Sequence, residues 1–304
     1  MTTMQTKGSD YVTIMEVGAR DGLQNEPAIL PVETKRALIE SLCEAGIQRI
    51  EAGSFVSPKW VPQMANSDAL LAQLTRKQNV EYSALTPNLH GLEKAMAARV
   101  NRVSVFSAAS ESFTQKNINC SIDESIARFS DVIHEARKHS LPVRGYISCI
   151  AGCPYEGKID ISAVVKVAQK LIDQGCDELS LGDTIGVGNP KQIKDIIQAL
   201  QSIIDIKDLA VHFHDTYGQA LANTLAAIEC GIRTVDTSIA GLGGCPYAKG
   251  ASGNLATEDV VFMLNGLGLN QDVDLHRLAI IGEQISKTLG IPYRSKAGFA
   301  LTAK

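Results

Sequence analysis

No apolar run approaches the ~18 residues that a membrane-spanning helix needs. No stripe dense in Lys and Arg marks a nucleic-acid face, and the formal net charge of −4 over 304 residues points the same way. The polar start, Met1 to Tyr11, lacks the basic-then-apolar profile of a signal peptide and the Arg-rich pattern of a transit peptide. A cytoplasmic protein, with neither membrane nor nucleic acid as partner, is the expectation. The 7 cysteines are odd in number and scattered, which is not a secreted disulfide framework. Cys149 and Cys153 have CxxxC spacing, but no second pair completes a zinc site, so they are expected to be ordinary thiols. No Ser- or Pro-rich linker divides the chain, which argues for one domain over residues 1–304.

What is present is an alternation. Short β-rich runs at 12–17, 49–52, 80–85, 102–106, 143–147, 178–181, 209–213 and 234–239 are separated by helical patterns. Those patterns include 32–44, 122–138, 161–174, 191–204 and 218–229, apolar at three- and four-residue spacing. Gly46, Gly175 and Gly231 stand at helix C-ends, where a left-handed cap is needed. Strand–helix repeated eight times leaves an open doubly wound sheet or a closed barrel. A Rossmann sheet should open with GxGxxG after its first strand, and here that place holds Gly18-Ala19-Arg20-Asp21-Gly22. The count of units and the length favour an α/β fold, a (β/α)8 TIM barrel over about 11–268, with a C-terminal helical extension over about 269–304 that includes a helix at 275–289.

A barrel of this kind keeps its active site at the C-terminal ends of its strands. The polar residues there are Glu16, Arg20 and Asp21 after strand one, Glu51 and Ser54 on strand two, and Ser180 and Asp183 on strand six. Strand seven carries His212 and His214, and the loop after strand eight carries Cys245, Lys249, Asn254 and Glu258. His212 and His214 are two apart and share a strand face. In the lumen they could hold one ion, with Asp21 as carboxylate ligand and Asn254 as a carbonyl ligand. Such a set suits Zn, Mn, Fe or Co, and Mg when oxygens dominate. The alternative is a structural hydrogen-bond network. Arg20 offers a planar fork of donors for a carboxylate or a developing enolate, or a surface ion pair. The glycine-dense run from Gly241 to Asn254 fails the P-loop test, because its Lys precedes the Gly. It reads as a lid with Cys245 as an acid or base, or as a plain loop.

The run Glu16-Val17-Gly18-Ala19-Arg20-Asp21-Gly22-Leu23-Gln24-Asn25-Glu26 resembles the opening motif of metal-dependent barrels of the pyruvate-carboxylase-like and isopropylmalate-synthase-like kind. The runs 54–64, 180–186 and 212–219, with the Cys245 loop, are similar to the 3-hydroxy-3-methylglutaryl-CoA lyase family, from about Val12 to Asp259. The resemblance implies cleavage of 3-hydroxy-3-methylglutaryl-CoA to acetyl-CoA and acetoacetate, as in leucine degradation and ketone-body formation. It implies Asp21, His212, His214 and Asn254 as ligands of Mg²⁺ or Mn²⁺ and Arg20 against the reacting carbonyl. Cys245 and Asp183 would move protons and Glu51 would support the site. Glu16, Gln24, Ser54, Ser180 and Glu258 would bind substrate or complete the site. CoA contacts would come from the C-terminal region, with Arg294 and Lys296 as candidate cations, and the oligomer would be a homodimer. The neighbouring readings are a lyase for longer 3-hydroxy-3-methyl chains, a 2-oxo-acid aldolase, or an acetyl-CoA condensing synthase. The synthases usually carry a C-terminal regulatory domain, for which there is no room.

Overall fold

The structure is a computed structural model and describes residues 11–244, 253–269 and 272–303. Eight parallel strands close into a barrel: β1 (Thr13–Glu16), β2 (Arg49–Ser54), β3 (Glu81–Leu85), β4 (Arg102–Ala108), β5 (Val143–Ser148), β6 (Glu178–Asp183), β7 (Leu209–Phe213) and β8 (Thr234–Thr237). Neighbours in sequence are neighbours in space, and β1 closes the ring against β8 with Thr13 opposite Thr234. Between and after them run helices α1 (Val32–Glu44), α2 (Ser67–Gln73), α3 (Leu89–Ala97), α4 (Glu111–Ile118), α5 (Ile122–Lys138), α6 (Ile161–Gln174), α7 (Pro190–Leu200), α8 (Ala220–Glu229), α9 (Thr257–Gly266), α10 (Leu275–Leu289) and α11 (Lys296–Thr302). A two-stranded hairpin, Gly152–Cys153 with Gly157–Lys158, is inserted after β5. The expected barrel and C-terminal extension are both present, and the helix expected at 275–289 is α10. Several boundaries moved, with β2, β4 and β6 each running two residues longer than expected and α8 starting two residues later. The last strand ends at Thr237, because Ile239–Gly241 is a 3-10 turn, and α7 stops at Leu200 rather than 204.

The helices start and stop where their termini find partners. Ser121 and Glu124 form a reciprocal capping box on α5, with Glu124 N donating to Ser121 Oγ at 3.1 Å and Ser121 N to Glu124 Oε2 at 2.7 Å. Asn189 caps α7 just ahead of Pro190. Gly175 ends α6 at φ 106°, a left-handed position that costs glycine no Cβ clash.

The strands alternate, and the alternation separates two cores. Side chains facing the helices are apolar: Ile14, Ile50, Val103, Val105, Ile147, Leu179, Leu181, Val211 and Phe213 are all buried. Side chains facing the lumen are mostly polar. At the N-terminal end of the barrel they form a continuous ion-pair floor. Arg49 grips Glu178 with two bonds at 3.0 and 3.1 Å and reaches Glu81 at 3.1 Å, which also takes Arg102 at 3.0 Å. Arg144, fully buried, lies between Glu178 at 3.1 Å and Asp236 at 2.6 Å. Burying so many charges is tolerable only because each has an opposite neighbour. The lumen above that floor is where the chemistry-bearing residues meet.

Candidate active site

The first strand leads directly into one π-helical turn, Gly18–Gly22, that carries Arg20 and Asp21. The turn needs its glycines: a Cβ at Gly18 would lie 2.5 Å from Glu16 Oε1, and one at Gly22 would lie 2.7 Å from Ser238 Oγ. The tight fit sets Arg20 over the open end of the barrel. Its Nε donates to Glu51 Oε2 at 2.5 Å and its Nη1 to Asp21 Oδ1 at 2.7 Å. Its guanidinium carbon stands 5.4 Å from the centre of the Tyr146 ring, within cation–π range. Burial opposes the charge on Arg20, but Glu51 and Asp21 outweigh it and the guanidinium is held charged. Glu51 is fixed from two further sides, by Ser104 Oγ at 2.5 Å and Tyr146 OH at 3.3 Å.

His212 lies near the end of strand β7 and His214 just beyond it. Ligand atoms of Asp21, His212 and His214 lie within 4.8 Å of one another. Burial alone would raise the Asp21 carboxyl, but Arg20, His212, His214 and the Asn254 amide together hold it down at about 2. Asn254 lies beside this trio. Its Nδ2 donates to Asp21 Oδ2 at 2.8 Å and to Leu242 O at 3.1 Å, while its Oδ1 is buried and accepts no hydrogen bond. Two imidazoles, a carboxylate and an unclaimed amide oxygen form a donor set suited to a divalent ion. The trio and the amide oxygen are the observations that fit a metal to this place.

Behind the trio His212 Nδ1 meets Asp236 Oδ2 at 3.2 Å, and Asp236 also takes Ser180 Oγ at 2.8 Å and Arg144 at 2.6 Å. Burial would raise the Asp236 carboxyl, and Arg144 and His212 bring it below the usual range. Asp236, Arg144, Tyr146 and Ser104 were not among the residues expected from the sequence.

A cavity of about 610 Å³ opens above these groups. Arg20, Asp21, Gln24, His212 and His214 line its inner end. Phe106, Phe113, Phe129 and Trp60 line its sides, and Lys116 and Arg128 its outer part.

Several expected residues stand elsewhere. Asp183 follows Gly182 on β6, so it points to the helix side, and it is absent from the cavity wall. Its carboxylate accepts from Gly188 N at 2.8 Å and Val187 N at 3.2 Å, and burial raises its pKa. The structure gives it the work of shaping the turn at 183–188. Glu16 also points outward from β1, accepting from Gly18 N at 2.7 Å, Ile239 N at 3.0 Å and Thr257 Oγ1 at 2.5 Å. Glu258 accepts Ala240 N at 3.0 Å and Tyr293 OH at 2.8 Å. Both acids brace the 3-10 turn after β8 rather than the cavity. Ser180 sits beneath His212, and Ser54 Oγ accepts from Val56 N at 3.3 Å in the loop beside the cavity. Arg294 and Lys296 do not line the cavity. Arg294 bonds the root of the glycine-rich loop, and Lys296 lies 3.7 Å from Asp215. Cys245 and Lys249 fall outside the described residues. Cys149 and Cys153 are both buried, and Cys153 Sγ accepts from Ser110 Oγ at 3.0 Å.

The chain has counterparts among known families, proteins and structures. The HMGL-like family profile matches residues 11–285. The mitochondrial hydroxymethylglutaryl-CoA lyase of Rattus norvegicus is 55% identical over 289 residues, which are 95% of this chain and 89% of the relative. Further relatives are named as mitochondrial or as cytoplasmic. Among solved structures, the hydroxymethylglutaryl-CoA lyase of Pseudomonas aeruginosa superposes with a TM-score of 0.94 at 52% identity, covering 96% of this chain and 97% of that one. An HMG-CoA lyase from Acinetobacter baumannii, in complex with coenzyme A and 3-methylmalate, superposes at 0.92 with 36% identity, covering 99% and 97%.

Proposed function

The chain belongs to the HMGL-like family, and on that premise we propose how its site works. The enzyme is a carbon–carbon lyase that cleaves 3-hydroxy-3-methylglutaryl-CoA to acetyl-CoA and acetoacetate. The observation that carries the mechanism is the convergence of Asp21, His212 and His214, with Arg20 2.7 Å from Asp21, at the inner end of one cavity.

Asp21, His212, His214 and Asn254 Oδ1 would hold Mg²⁺ or Mn²⁺. When bound, such an ion supplies Lewis acidity that lowers the pKa of the substrate's C3 hydroxyl. The hydroxyl proton passes to water in the cavity, and the C2–C3 electron pair leaves with the thioester fragment, giving acetoacetate and the enolate of acetyl-CoA. Arg20, pinned by Glu51 and Asp21, stabilises the enolate oxygen as charge develops there. It needs no reorganisation, because its two carboxylate partners already fix the guanidinium plane. The Cys245 thiol is our proposed proton donor to C2. Apart from Asp21 no carboxylate lines the cavity among the described residues, so Asp183 is assigned to bracing its turn and not to removing the hydroxyl proton.

The acyl-CoA arm would lie along the aromatic side of the cavity, with Lys116 and Arg128 facing its phosphates. The coenzyme A complex of the Acinetobacter relative supports that partner. A homodimer is our reading of the assembly, supported by exposed Phe262, Ile280 and Phe299 on the three mutually packed C-terminal helices. No helix among the described residues is long and apolar enough to cross a membrane. The cytoplasm is our proposed compartment, supported by relatives named for it.

The test is to incubate the purified chain with 3-hydroxy-3-methylglutaryl-CoA and assay acetoacetate before and after EDTA treatment. Activity abolished by EDTA and restored by Mg²⁺ or Mn²⁺ is expected. Turnover that EDTA leaves intact would remove the metal from the mechanism.

A further inference from the structure

Between α10 and α11 the C-terminal segment turns back across the root of the glycine-rich loop. Arg294 Nη1 donates to three oxygens: Gly243 O at 3.0 Å, Glu26 Oε1 at 3.1 Å and Gly241 O at 3.3 Å. Glu26, 3% exposed, completes the ring by accepting from Gly243 N at 3.2 Å on the same oxygen. Three separate parts of the chain therefore meet at one point: the segment after β1, the segment after β8 and the C-terminal extension.

Between the two clamped glycines stands Leu242. Its carbonyl accepts one proton of the Asn254 amide at 3.1 Å, and Asp21 Oδ2 accepts from the same Nδ2 at 2.8 Å. With both acceptors on Nδ2, the plane of the carboxamide is decided, and Oδ1 is the face left over. The backbone of Gly243, at φ 115°, is pressed against this amide: a Cβ there would lie 2.7 Å from Asn254 Nδ2. The position of Leu242 O thus decides where Oδ1 points, and the carbonyls on both sides of it are held by Arg294.

We propose that Arg294 is a positioning residue for the metal site. By tying Gly241 and Gly243 to Glu26 it holds Leu242 O in the place that orients Asn254, so the C-terminal extension sets how tightly the ion is bound. The inference rests on the reading of Asn254 as a ligand. Arg294 touches neither ion nor substrate, and it lies outside the cavity wall. All three contacts leave from Nη1, which lies one bond farther along the side chain than a lysine ammonium, so lysine reproduces them only in part.

The test is titration of the purified full chain with Mn²⁺, reading free ion by its magnetic resonance signal. The variants are Arg294→Ala, Arg294→Lys, Asn254→Ala and the double variant Arg294→Ala with Asn254→Ala. Arg294→Ala should weaken Mn²⁺ binding about tenfold, in the range found for residues that orient metal ligands, and Arg294→Lys should recover only part of that loss. In the Asn254→Ala background, Arg294→Ala should add less than about twofold, because the two act through one amide. A full, additive loss in that background would overturn the proposal. So would unchanged affinity in Arg294→Ala while Asn254→Ala alone is weakened. If the unsubstituted chain takes up no Mn²⁺, or Asn254→Ala binds it as tightly, the reading of the metal site fails first and this inference falls with it. Should Arg294→Ala not fold by circular dichroism, Arg294→Lys and Glu26→Gln, each taken with and without Asn254→Ala, carry the same comparison and the same overturning results.

Discussion

His212 is held from behind before any ligand meets it in front. Asp236 lies 3.2 Å from its Nδ1, and Arg144 and Ser180 in turn fix Asp236. An anionic Asp236 keeps the Nδ1 proton on the imidazole and leaves the Nε2 lone pair for the cavity. Asp236→Asn should therefore weaken Mn²⁺ binding about 10–100-fold, read by titration on protein shown to be folded. Unchanged affinity would mean that the carboxylate does not set the ring. Of these residues, the two histidines and the Arg-Asp pair were legible in the sequence, because their types and spacing are unusual together. Asp236 was harder to see, being one acid in Thr234-Val235-Asp236-Thr237 with no charged residue or histidine next to it. Its signal was parity, since Val235 belongs to the helix side and Asp236 must then face the lumen. Parity also separates Ser180 from Asp183, three apart on one strand and so on opposite faces. Only Ser180 of the two therefore faces the lumen.

Among the elements, α4 and α5 bring the cavity's outer cations, Lys116 and Arg128, and its side wall, Phe113 and Phe129. The N-terminus of α5 depends on the Ser121–Glu124 box. Ser121→Ala should cost about 1 kcal/mol of stability, seen as a lower urea midpoint at unchanged slope. An unshifted midpoint would show that the helix start is held by its packing instead. The long helices and the strand cores were readable because their apolar period is regular over many residues. The π turn at Gly18–Gly22 was not, because its shape comes from what it packs on, Glu16 and Ser238, rather than from local preference. The last strand was read two residues too long for a related reason. Ser238 and Ile239 look like strand residues, but Glu16 draws the Ile239 amide away from the ladder into a 3-10 turn.

For the molecule as a whole, the barrel was legible from the eightfold alternation, and its polar lumen was not, because that needed the register of all eight strands. Two of its buried acids make stability depend on pH. Burial raises Glu16 to about 7 and Glu258 to about 8, against an ordinary value of 4.5, with hydrogen bonds only partly offsetting it. Between 4.5 and about 8 the folded chain holds protons that the unfolded chain has released. Stability is then fullest at the acid end of this window and falls as pH rises through the two folded values, by up to about 1.4 kcal/mol per pH unit for each proton. Glu258→Gln keeps the shape without the ionisation. Urea unfolding between about pH 6 and pH 9 should fall less steeply for this variant than for the unsubstituted chain. Parallel curves would place the titration elsewhere.

The ion-pair floor has a consequence for the order of events in turnover. Arg49, Glu81, Arg102, Glu178 and Arg144 close the barrel at its N-terminal end, so among the described residues the site is a well shut at its base. Whatever is made at the bottom must wait for what lies above it. On the proposed placement of the thioester arm acetoacetate would form beneath it, so acetyl-CoA should depart first and acetoacetate second. Product-inhibition kinetics should then show acetoacetate competing with substrate and acetyl-CoA acting as a mixed inhibitor. The reverse pattern would mean that the smaller product escapes past the larger.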